Sequence, residues 1–171
     1  MKSISLLLFS VLLGTAVIAQ QDKSKRPSPP ATEKVTLKTG ATVTIDYSQP
    51  SVKGRTIGTD LEPMAGKVWR TGANEATVFE VDKDVEVEGE KLPAGKYAFF
   101  TIMDDKGDWT LIFNKTWSQW GAFGYKEADD ALRVKVDGEK GKFHEKLTFE
   151  VDPGGKITFY WGDLKVNFKV K

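Results

Sequence analysis

Arg70, Asn74 and Glu75 fall within ten residues, "VWRTGANEAT" from Val68 to Thr77. Together they offer a cationic fork, an amide and a carboxylate, the groups that hold a polar or anionic ligand by directed hydrogen bonds. Arg55, in "KGRTIG", adds a second guanidinium between glycines that let a backbone approach closely, which suits an anion or carboxylate clamp. Arg133 is out of phase with Leu132, Val134 and Val136, so it faces either solvent or the underside of a neighbouring loop, where it would join Arg55 and Arg70 in a basic pocket. Trp120 and Tyr125 stand with Trp117 and Phe123 in "KTWSQWGAFGYKEADD", an aromatic stretch of the kind that stacks on the apolar faces of sugars.

Each of these residues also has a mechanical role open to it. Gly72 permits positive φ, Asn74 tolerates the same region while its side chain ties the turn, and Trp69 goes into the core from the strand before it. Arg70 and Glu75 flank that turn and are placed to pair with each other or with a third partner, and Arg55 to pin its own long loop to an acid. The aromatic stretch can equally fold as a lid over an open sheet.

Other chemistry finds less to work with. His144 is the single histidine and there is no cysteine, so no metal site is assigned, and "DDKGD" at 104–108 reads as a hairpin turn before it reads as a calcium loop. No nucleophile elbow is present for a serine-histidine pair. A carboxylate pair for glycoside hydrolysis, Glu75 with Asp129 or Asp130, requires only proximity. No catalytic residue and no cofactor is assigned.

The elements that must position these groups are strands. Val35 and Leu37, a turn at Thr39-Gly40, then Val43, Ile45 and Tyr47 alternating with polar residues, form a hairpin with one apolar face. Residues 48–67 break the period with glycines and prolines and predict a long ordered loop. Strands follow at 77–81 and 85–88, and after a turn in "GEKLPAG" comes "KYAFFTIMD", apolar on both alternating sets and therefore central and covered on both faces. "DWTLIFN" is another strand. Beyond the aromatic stretch, with one helical turn at most in "EADDAL", strands are predicted at 132–136, 147–151, 157–161 and 164–170, the last two joined by a Gly162-Asp163 hairpin turn. Nine or ten short strands with regular turns predict an all-β fold, an antiparallel β-sandwich or a jelly-roll-like barrel.

Residues 1–19, with Lys2, a long apolar run and Val17-Ile18-Ala19 before Gln20, read as a signal peptide, too short for a membrane span, and imply a periplasmic or secreted protein. Residues 20–32, polar and proline-containing, read as a disordered or extended linker, leaving 33–171 as one β domain. Without Lys2 the 25 basic residues balance the 24 acidic ones, which argues against a general nucleic-acid binder.

The ordered run "DYSQPSVKGRTIG", "VWRTGANEAT", "LPAGKYAFFTI", "WTLIFNKTWSQWGAFGY" and "ALRVKV" resembles a bacterial family, domain-of-unknown-function family 2911. The resemblance implies an exported β domain of a Bacteroidetes-type envelope and brings no reaction, substrate or catalytic residue. Three functions stay in view. The first is a domain that binds a small molecule or glycan in a pocket among the loops through Arg55, Arg70, Asn74, Glu75, Trp120, Tyr125 and Arg133. The second is a structural or interaction module of the cell envelope, and the third a carboxylate-based hydrolase.

Overall fold

A computed structural model describes residues 22–171. The expected signal peptide and the first two residues of the expected linker lie outside the described residues. The described residues form ten strands: β1 (Pro30–Thr36), β2 (Thr42–Ser48), β3 (Thr77–Val81), β4 (Val85–Val87), β5 (Glu90–Leu92), β6 (Gly95–Met103), β7 (Trp109–Asn114), β8 (Asp130–Val136), β9 (Gly138–Val151) and β10 (Lys156–Lys169). Every strand pair is antiparallel.

Six strands make one sheet in the order β1-β2-β3-β6-β7-β8. The sheet stays open at β1 and β8, so the layered alternative applies and the closed barrel does not. A long β9-β10 hairpin lies across one face. The short β4-β5 hairpin adjoins its end, where Val87 pairs with Val170.

Alternation explains the main core. Val43 and Ile45 of β2, Phe79 of β3, Phe99 of β6 and Phe113 of β7 project to one side and meet Phe149, Phe159, Trp161 and Phe168 from β9 and β10. Phe99 stacks on Phe168 with centroids 5.7 Å apart, and Trp109 meets Phe159 edge-on at 5.3 Å. The opposite face of β6 and β7, formed by Ala98, Phe100 and Ile112, is covered by Ala76, Val68, Ala122 and Tyr125. β6 is therefore central and covered twice, as its double apolar pattern requires. The second cover comes from the Val68–Thr77 motif and the aromatic stretch, which is how the fold brings those two segments together.

Three local expectations change. The Gly162-Asp163 pair is no hairpin turn: β10 runs straight through it as one strand of 14 residues, and both flanks pair with β9. Gly162, at φ +57°, sits between two register shifts, so the glycine accommodates an irregularity in a continuous strand instead of a reversal. The first half of β9 was hidden because most of its side chains are exposed and carry no alternating apolar signal. "GEKLPAG" contains strand β5, and the two-residue reversal before it lies at Glu88 and Gly89, both with positive φ.

The segment read as a linker is partly built into the domain. Lys23–Lys25 form a single 3₁₀ turn capped by Asp22, Pro30–Thr32 already belong to β1, and the side chains of Lys23 and Arg26 reach the site described next.

Candidate functional site

The motif is built on β6. Trp69 and Thr101 exchange backbone hydrogen bonds of 2.8 and 2.9 Å, which lays the chain against the strand and drives the Trp69 ring, 2 % exposed, into the main core. The corner that follows is locked by hydroxyls: Thr71 Oγ1 lies 3.0 Å from Thr101 Oγ1, and Thr77 donates to the Thr71 carbonyl at 2.8 Å. The residues with positive φ are Thr71 and Asn74, at +49° and +59°, and not Gly72. Gly72 is required for a different reason. A Cβ there would lie 2.9 Å from Thr77 Oγ1 and 3.2 Å from the Ser48 carbonyl, so the corner closes only around a hydrogen atom.

Two tethers then fix the surroundings. Asn74 donates from its amide to the Ser28 carbonyl at 3.0 Å, holding the N-terminal segment over the corner. The Gly121 amide donates to the Asn74 carbonyl and the Ala76 amide to the Gln119 carbonyl, each at 3.0 Å, so the motif and the aromatic stretch form a short two-stranded contact centred on Glu75 and Trp120.

On one side of this contact lies an open cleft of about 430 Å³ walled by the N-terminal segment, β2, Glu75 and Ala76, and the stretch Trp117–Trp120. Glu75 is its electrostatic centre. Arg26 Nη1 donates to both carboxylate oxygens at 3.0 and 2.9 Å, and Lys23 Nζ lies 3.0 Å from Oε1. Burial pushes the Glu75 carboxyl up, but the bonds from Lys23, its own backbone and Arg26 together outweigh that and bring it down to about 2. Trp117 and Trp120 remain 43 % and 57 % exposed. A cation lies near each ring: Lys96 Nζ is 5.4 Å from the Trp117 centroid and the Arg26 guanidinium 5.9 Å from that of Trp120. Between them Gln119 keeps a buried side-chain oxygen that has no donor among the described residues.

On the other side of the corner is a second, smaller cavity of about 200 Å³, to which Arg70, Arg55, Glu62, Trp69 and Trp161 contribute. Arg55 pins its own loop as expected, although to the carbonyls of Ser51 and Val52, at 2.7 and 3.1 Å, and not to an acid. Arg70 pairs with neither Glu75 nor any other carboxylate among the described residues.

The remaining two candidates lie at a third place. Tyr125 packs edge-on against Phe100 at 5.2 Å and donates to Asp130 at 2.8 Å. Arg133 lies 3.3 Å from Asp130 and 3.1 Å from Glu127, so it closes a network around the buried Asn114 and does not join Arg55 and Arg70. The seven candidates therefore divide: Glu75 and Trp120 at the open cleft, Arg55 and Arg70 at the small cavity, Tyr125 and Arg133 in an anchor beneath the aromatic stretch, and Asn74 as the tie at the partition. In that stretch Ala122 and Tyr125 face the sheet as a lid, while Trp117, Trp120 and Phe123 are exposed.

Lys23, Arg26 and Gln119 are cleft residues that the sequence reading left out. The run "KSKR" at 23–26 was a usable signal for the first two, since a basic cluster ahead of the domain matches an acid on a rigid corner.

Fold and site together define an antiparallel all-β domain of two packed layers, with an open cleft on the outer face of the larger sheet and a smaller cavity that reaches the core tryptophans Trp69 and Trp161. The chain belongs to the family DUF2911, described as a protein of unknown function, whose model matches residues 28–170. No curated protein and no solved structure matches the chain. Among the described residues no helix is long and apolar enough to cross a membrane.

Proposed function

We propose that this domain is a binding module, exported to the periplasm or beyond, that holds a glycan or small polar ligand in the open cleft. The observation that carries the reading is the pair of half-exposed tryptophans, Trp117 and Trp120, on the wall of a cleft that also presents Lys23, Arg26, Glu75 and Gln119. Such a wall supplies apolar faces for a pyranose ring together with donors and acceptors for its hydroxyls. The rigid corner at Gly72 and the Asn74 tether supply pre-organisation, which spares a ligand the cost of ordering the loops.

The carboxylates favour binding over hydrolysis. Glu75 is held ionised by two cations and has no proton to give at neutral pH, Asp129 accepts from Thr116, and Asp130 is enclosed by Asn114, Tyr125 and Arg133. The envelope-interaction reading draws on Phe123, which is 90 % exposed beside the two tryptophans and would suit a protein partner.

Titration of the full chain with cello-, chito- and manno-oligosaccharides, followed by tryptophan fluorescence, tests the proposal. At least one series is expected to change the emission, and Trp120→Ala and Trp117→Ala to weaken that ligand at least tenfold while the melting temperature stays within about 2 °C. No response to any of the three series would remove the glycan reading. Release of reducing ends, lost in Glu75→Gln, would replace it with hydrolysis.

A further inference from the structure

The small cavity holds an imbalance that the open cleft does not explain. Among the described residues Arg70 Nε is buried without a hydrogen-bond partner, and the side chain makes no ion pair. A stranded guanidinium N–H costs free energy that native proteins rarely leave uncompensated. Burial also pulls the Arg70 guanidinium below its usual range, with Glu62 partly opposing it. Arg55, on the same cavity, engages carbonyls through Nε and Nη2 only. Among the described residues Glu62 is the one carboxylate on the lining, so two guanidiniums and one carboxylate leave a single positive charge. The rest of the wall is largely apolar, with Leu61, Trp69 and Trp161, and both indole N–H groups are already spent on the carbonyls of Gly72 and Glu62.

We propose that this cavity is a second binding site, separate from the open cleft, that takes a small monocarboxylate with a short apolar tail. The carboxylate receives the Nε–Nη edge of Arg70, with Arg55 at the mouth, and the tail lies against Leu61 and the two indoles. A bidentate guanidinium–carboxylate pair satisfies the stranded N–H and cancels the residual charge in one step. Because Nε has almost no surface open to water, binding turns the guanidinium so that this edge faces the cavity. Glu62, of like charge, limits the site to one negative charge and disfavours phosphate. This inference does not depend on what the open cleft holds.

The test uses the full chain with butyrate as probe, butyramide as its neutral match and inorganic phosphate as the competing anion, followed by the indole N–H and arginine Nε–H signals in ¹⁵N-correlated spectra. Butyrate is expected to move the Trp69, Trp161 and Arg70 signals saturably, and butyramide to bind at least tenfold more weakly. Arg70→Gln should lose butyrate at least tenfold and Glu62→Gln should tighten it severalfold, while Trp120→Ala leaves it unchanged. Should Arg70→Gln fail to fold, Arg55→Gln, on an exposed loop, still tests the mouth by a weakening of threefold or more. Equal binding of butyrate and butyramide, tighter binding of phosphate, or no saturable movement of these signals overturns the proposal.

Discussion

Arg26 and Glu75, separated by 49 residues, meet through a single nitrogen that donates to both carboxylate oxygens. The contact joins the N-terminal segment to the rim of the corner and, with Lys23, holds Glu75 at a pKa of about 2 against an ordinary 4.5. The folded value lies below the unfolded one. The stabilisation is therefore complete above about pH 4.5 and fades as the pH falls toward 2. Glu75→Gln is expected to cost no more than about 1 kcal/mol at pH 7, because this pair is partly exposed to solvent and screened. Urea denaturation at pH 7 and pH 3 checks this: the gap between wild type and variant should narrow at the lower pH, and a constant gap would show that the ion pair contributes nothing.

Gly72 occupies the place where the corner has no spare volume. Gly72→Ala should destabilise by about 1–3 kcal/mol, the usual cost of overpacking a closed site. The clash falls on Thr77 and on the Ser48 backbone, neither of which can swing away. Thermal melts measure it, and a neutral result would mean that β2 and the corner shift apart easily.

Trp69 and Trp120 stand in the same two segments and differ in what surrounds them. Trp69→Ala empties a core position and should cost about 3–5 kcal/mol. Trp120→Ala, at an exposed position, should stay within about 0.5 kcal/mol. Equilibrium unfolding of the two variants separates a core tryptophan from one available to a ligand.

Asn114 is fully buried at the end of β7 and donates to Asp130 and the Lys126 carbonyl while accepting from the Thr116 amide. Asn114→Ala should cost about 2 kcal/mol or more, since buried partners are left unpaired. It should also release the amides of residues 115–130 to hydrogen exchange before the rest of the domain. Unchanged protection there would show that the Tyr125–Phe100 contact alone holds the stretch.

Strand content was legible because burial on a sheet has a period of two. Thr77–Val81 and the doubly covered "KYAFFTIMD" could be read directly, the second because a strand apolar on both sides has nowhere to be but the centre. Gly162-Asp163 misled for a physical reason: a two-residue turn signal describes what the backbone can do, and whether it reverses depends on what lies alongside. Both flanks pair with β9, whose own exposed first half gave no apolar signal. The motif was similarly half legible. The burial of Trp69 and the positive φ of Asn74 followed from residue types, whereas the second positive φ fell on Thr71 and not on Gly72, whose need came from the proximity of Ser48 and Thr77.

Residue types and their alternation were enough for an antiparallel all-β domain, its central strand, and a set of arginine, amide, carboxylate and aromatic groups gathered mainly in its irregular segments. Local propensity and alternation are encoded over a few neighbouring residues and survive without knowledge of partners. That these groups serve three places instead of one emerged from the packing of distant segments. A residue's partner in a β fold is set by strand order and register over separations of tens of residues, as with Arg26 and Glu75 or Asn74 and Ser28. The corner at Gly72 therefore acts as a partition, with Glu75 turned to the open cleft and Arg70 to the small cavity behind it.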